Sequence, residues 1–120
     1  RKDIFLANHK VERDSILKSG KPDFIADVFL FNKYTGETNA LRAPFELLME
    51  HIEYIIKLVG IDYVGLGSDF DGIESPPQKL DDVTTYPLIT KALLEKGYSA
   101  ADITKVLGGN FLRVLKANEK

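Results

Sequence analysis

The feature that most restricts this chain is a short apolar run, Ile61 to Gly67, set between stretches of helical periodicity. Tyr63, Val64 and Leu66 stand among glycines in a segment too brief for a helix, so the pattern predicts a buried strand. A strand cannot satisfy its own backbone N–H and C=O groups and requires neighbours at its edges. No other segment of the 120 residues carries a comparable strand signal. Helix, strand and helix in succession form the unit from which parallel sheets are wound, which predicts an α/β fold of which this chain is a part. The part itself is expected to be mostly helical with one clear strand. The first residue is Arg1 and the single methionine is Met49, which adds the expectation that further sequence precedes Arg1.

Around that run the helical signals are uneven. Phe45, Leu48, Met49, Ile52, Ile55, Ile56 and Val59 recur at steps of three and four, which predicts a helix with Pro44 in its first turn and Gly60 as its stop. Arg1 to Ser19 carries Ile4, Phe5, Val11 and Ile16 in a looser helical pattern ending at Gly20 and Pro22. "DFIADVFLFNKY" predicts a short helix with Phe24, Ile25, Val28, Phe29 and Phe31 on its apolar side, and "NKYTGETNALRAP" then reads as a loop. A helix is expected from about Pro87 to Lys96, ending at Gly97. Ser99 and Asp102 have the spacing of a capping box, opening a helix that carries Ile103, Val106 and Leu107. After Gly108 and Gly109, Asn110 is expected to cap a last helix that packs Phe111, Leu112, Val114 and Leu115.

Composition excludes several functions. With 44% hydrophobic residues the chain can bury a core, and a formal charge of −2 from 16 basic and 18 acidic residues provides no basic field for nucleic acid or an anionic membrane. There is no cysteine, hence no disulfide framework, thiol nucleophile or Cys-based zinc site; this is compatible with a reducing compartment, and a cytoplasmic location is expected. No apolar run approaches the ~20 residues that span a bilayer.

The chemistry concentrates in "YVGLGSDFDG", Tyr63 to Gly72. A dinucleotide fingerprint fails because its third glycine would fall at Phe70 and Asp69 would meet the pyrophosphate with like charge. A calcium loop fails for want of acids at the right spacing. Two readings of Asp69 stay open. Either it shapes a turn together with Asp71, the Asp that stands before Gly72, or the carboxyl end of the strand delivers it into a site, where it could orient a metal-bound water, take its proton and pass that proton to a leaving amine. Asp71 is expected to serve the loop, as are Asp81 and Asp82. His9 and His51 lack the spacing that puts two ligands on one helical face, so both are expected to be packed or hydrogen-bonded rather than metal-bound, and no Ser/His/Asp set is supported.

Three segments in order, "HIEYIIKLVGIDYVGLGSDFDGI", "LDDVTTYPLITKALLEKGYS" and "LGGNFLRVLKAN", resemble the carboxyl-terminal part of the membrane (renal-type) dipeptidase family, in its bacterial branch. The similarity runs over essentially all 120 residues and is clearest from Pro44 onward. It implies that residues 1–120 are the incomplete carboxyl-terminal part of a single TIM (β/α)8 barrel domain of the metal-dependent hydrolase kind. It also implies a site holding two zinc ions that cleaves dipeptides, in some members including those with a carboxyl-terminal D-residue. "GSDFDG" would close the eighth strand, and Asp69 would be the catalytic acid that handles the attacking water and the substrate's ammonium end. The family's metal ligands and its carboxylate-clamping arginine would all precede Arg1, so no residue here is assigned to metal and the chain alone is expected to be inactive. The alternative is a non-catalytic helical module serving packing or association. Either way the orphan strand predicts a homo-oligomer or strand pairing between chains.

Overall fold

The structure, a computed structural model, describes residues 2–70, 72–73 and 75–119, and its contacts divide the chain into two units, Arg1–Arg42 and Ala43–Lys120. In the first unit the single helix expected up to Ser19 is two, α1 (Lys2–Asn8) and α2 (Lys10–Lys18). They meet at His9, whose backbone leaves helical geometry at φ −104°, ψ 18°. Tertiary contacts hold the bend. The imidazole stacks on Tyr34 with ring centroids 3.9 Å apart, and its Nε2 lies 3.1 Å from Glu37.

The helix expected next is α3 (Asp23–Lys33), but its buried face differs from the one the apolar pattern predicts. Ala26, Asp27, Leu30 and Phe31 are buried, whereas Phe24 and Phe29 are exposed. Asp27 accounts for the rotation: Arg13 Nε donates to its Oδ1 at 2.7 Å and Lys2 Nζ stands 3.4 Å from Oδ2, so the acid is paired where it is buried. The stretch expected as a loop contains α4 (Thr35–Leu41). Its propensity is weak, but the Thr38 hydroxyl reaches the carbonyls of Phe31 and Tyr34 at 3.1 and 3.2 Å, and Glu37 meets His9.

In the second unit the periodic run becomes α5 (Phe45–Val59), which buries Phe45, Met49, Ile52 and Ile56. Pro44 precedes its first turn and Gly60 stops it at φ 88°, ψ 151°, a conformation only glycine adopts without strain. Ile55 and Val59, expected on the same face, are 42% and 46% exposed.

The strand expected from Ile61 to Gly67 does not form. Ile61–Tyr63 is one 3₁₀ turn, the backbone then runs extended from Val64 at φ −108°, ψ 136°, and no strand occurs among the described residues. Extended geometry is a local property, but a ladder needs a second row of N–H and C=O groups, and nothing described supplies it. The two-residue alternation survives: Val64 is buried and Leu66 half-buried, while Gly65 and Gly67 are exposed.

A 3₁₀ turn at Val83–Thr85 leads into α6 (Tyr86–Glu95), and Gly97 follows at φ 88°. Asp82, expected as a loop acid, caps that turn by accepting the Thr84 N–H at 2.8 Å. α7 (Ala100–Thr104) opens on Ser99 as its cap, which is the hydroxyl half of the expected capping box. Ser99 Oγ accepts the Asp102 N–H at 3.1 Å and donates to Asp102 Oδ2 at 2.7 Å, so the acid answers the hydroxyl. A kinked segment, Lys105–Gly109, in which Gly108 leaves helical geometry at φ 166°, ψ −19°, passes into α8 (Asn110–Asn118). Ile103 and Val106 join Ile89, Leu93 and the buried side of α5 in one core. Phe111, Leu112, Val114 and Leu115 do not pack as expected; each is about half exposed or more, and Asn110 is the buried residue of α8. Among the described residues no helix is long and apolar enough to cross a membrane.

Candidate functional site

Asp69 stands where the extended segment ends. Its backbone adopts φ 50°, left-handed geometry that Asp tolerates better than most residues, and its carbonyl accepts the N–H groups of Gly72 at 2.8 Å and Ile73 at 3.0 Å. The main chain therefore folds back sharply after Asp69. The carboxylate is exposed, and it lies directly over Gly72. A β-carbon built on Gly72 would stand 2.4 and 2.5 Å from the two carboxylate oxygens and 2.7 Å from Cγ. The turn reading of Asp69 is thus correct for its backbone, while its side chain remains open to solvent. Asp71 lies outside the described residues.

An apolar groove of about 300 Å³ adjoins this turn, its lining including Leu66, Ser68 and Phe70 together with Ile52, Tyr86 and Ile89. Asp69 is flanked by two wall residues, Ser68 and Phe70, but is not itself part of the wall.

The start of the extended segment is fastened from far along the chain. Asn110, buried at the head of α8, donates both amide hydrogens, to Ile61 O at 2.7 Å and to Val64 O at 2.8 Å. It is not the helix cap expected from its position after two glycines: Gly109 holds the cap position, and the Asn110 amide instead holds the turn that carries the chain toward Asp69. Arg113, one helical turn on, donates to Asp62 O at 2.6 Å, and Lys105 Nζ pairs with Asp62 Oδ1 at 2.8 Å. The Lys105 ammonium holds the Asp62 carboxyl below its usual value, and Asp62 in turn raises Lys105. Sequence reasoning missed Asn110 and Arg113 because their partners are 46 to 51 residues away.

The histidines do not join this site. His9 is packed and hydrogen-bonded as expected, whereas His51, expected to be packed, is exposed on α5. Among the described residues no three His, Cys, Asp or Glu side chains gather where they could hold a metal ion. The described residues therefore do not fit the donor set that a zinc pair demands.

With this geometry in place, comparison with known proteins decides the family. Residues 16–120 match the family model described as membrane dipeptidase, peptidase family M19. The chain belongs to the membrane dipeptidase family. Among its curated relatives in that family, "Dipeptidase aclJ" of Aspergillus oryzae is 43% identical over 93 residues, 78% of this chain and 22% of the relative. "Dipeptidase 3" of Homo sapiens is 36% identical over 80 residues, 67% of this chain and 16% of the relative. An uncharacterized dipeptidase of Schizosaccharomyces pombe is 37% identical over 109 residues, 89% of this chain and 26% of the relative. The matched region thus spans about a quarter or less of the length of these membrane dipeptidase relatives. No solved structure matches the chain.

Proposed function

We propose that this chain is the carboxyl-terminal portion of a metal-dependent dipeptidase barrel and that Asp69 is its contribution to catalysis. The observation that carries the reading is Asp69 itself: an exposed carboxylate at the end of an extended segment, fixed by a left-handed backbone and two carbonyl hydrogen bonds, in a chain of dipeptidase lineage. On this reading Asp69 accepts a proton from the water that attacks the scissile carbonyl. It returns that proton to the amide nitrogen as the C–N bond breaks, so that two amino acids leave. Zinc, if held by residues outside this chain, would supply polarisation of the carbonyl and acidification of the water.

Two further observations support a portion of a larger barrel. The segment from Val64 to Gly67 has strand geometry at its start and one exposed face, which suits pairing with strands from elsewhere. The exposed apolar residues of α8 make a face that a soluble domain covers.

The experiment compares the full-length protein, its Asp69→Asn variant and the isolated 120-residue chain in dipeptide hydrolysis with added zinc. The full-length protein should turn over dipeptides. Asp69→Asn should lower kcat by roughly 100-fold or more, the usual worth of a positioned proton shuttle. The isolated chain should be inactive and bind no stoichiometric zinc. Full activity in Asp69→Asn would remove Asp69 from the mechanism, and zinc-dependent turnover by the isolated chain would overturn the shared site.

A further inference from the structure

We infer that Gly72 is a positioning residue for Asp69, present because the Asp69 carboxylate occupies the space a side chain would need. This inference rests on the catalytic reading of Asp69 and extends it to a residue with no side chain of its own. The geometry is specific to this glycine. Gly65 and Gly67, in the same segment, have no atom within 4 Å of a built β-carbon, whereas at Gly72 the three nearest atoms are all carboxyl atoms of Asp69. Real β-carbons do not approach other heavy atoms to 2.4–2.7 Å, so any other residue at position 72 must displace the carboxylate. Backbone shift cannot readily absorb the clash, because the N–H groups of Gly72 and Ile73 both bond the Asp69 carbonyl and tie the two residues together. The exposed carboxylate is the part free to move, by rotation about χ1, and it would leave its present position when it did. A misplacement of about 1 Å at a reacting group can cost on the order of a hundredfold in rate.

The test uses the full-length protein with Asp69→Asn, Gly72→Ala and the double variant, reading kcat, KM and thermal midpoint on a dipeptide. The expected result is that Gly72→Ala lowers kcat roughly ten- to a hundredfold with KM and midpoint near those of the parent. The double variant should then be no slower than Asp69→Asn, since both changes act through one group. If Asp69→Asn keeps the parent's kcat, the catalytic reading falls and this inference with it. If Asp69→Asn is impaired while Gly72→Ala keeps the parent's kcat, the reading stands and Gly72 is not a positioning residue. Multiplicative losses in the double variant also overturn the inference, because Gly72 would then act independently of Asp69. Should Gly72→Ala fail to fold, Asp69→Gly/Gly72→Ala decides the matter. Recovery of the folded protein attributes the failure to the carboxylate clash, and continued misfolding refutes it.

Discussion

Asn110 joins three stretches of chain that local patterns treat as unrelated: a helix start, a 3₁₀ turn and an extended run. Replacing it with leucine would leave the carbonyls of Ile61 and Val64 without their donor in a part-buried setting, at a cost of about 1–3 kcal/mol. Urea unfolding of Asn110→Leu against the parent should show that loss; an unchanged midpoint would mean that water replaces the amide at no cost. Gly60 is a different kind of residue, valued for its backbone. At φ 88°, ψ 151° an alanine meets nothing closer than Tyr63 Cδ2 at 3.9 Å, so Gly60→Ala should destabilise through backbone strain alone, by about 1–3 kcal/mol. The glycine's role as a helix stop is plain from its place after seven periodic apolar residues. Asn110's role is invisible at that range, because an asparagine after two glycines looks like a cap whichever carbonyls it eventually finds.

Among the helices, α5 and α7 follow their sequence signals closely, and α3 and α4 depart from theirs. α7 is only Ala100–Thr104, and the hydroxyl of Ser99 takes up one of its free N–H groups. Ser99→Ala should therefore cost about 1 kcal/mol, measured by chemical denaturation, with Asp102 losing the hydrogen bond it accepts from Ser99 Oγ. α3 shows why apolar periodicity is an incomplete guide. Phe24 and Phe29 would make an apolar stripe, but Asp27 has two cations to meet, and pairing a buried acid outweighs covering one more aromatic ring. α4 forms in a segment of weak propensity because His9, Phe31 and Tyr34 provide partners for Glu37 and Thr38.

Charge pairs spread across each unit tie helices to distant segments, and the Asp62–Lys105 pair beneath the extended run sets a pH expectation. Asp62 is held below its ordinary value by Lys105, so its contribution is complete above the unfolded carboxylate value of about 3.9 and is lost as pH falls through the depressed folded value. Lys105 is raised by Asp62, so its contribution is complete below about 10.4 and is lost as pH rises through the elevated folded value. The stability difference between the parent and Lys105→Met should thus be flat from about pH 5 to 9 and vanish in acid, and added salt should shrink it because both groups are solvent-exposed. A difference that grew on acidification would contradict the pairing. The helix after Pro44, the stops at Gly60 and Gly97, the Ser99 cap and the dipeptidase signature around Asp69 were all legible in the order of residues, since each depends on neighbours within a turn or two. The bend at His9, the buried side of α3, the grip of Asn110 and the failure of Ile61–Gly67 to become a strand were decided by packing. Hydrogen-bond and charge partners are chosen by proximity in space, and a run of extended backbone becomes a strand only when another lies beside it.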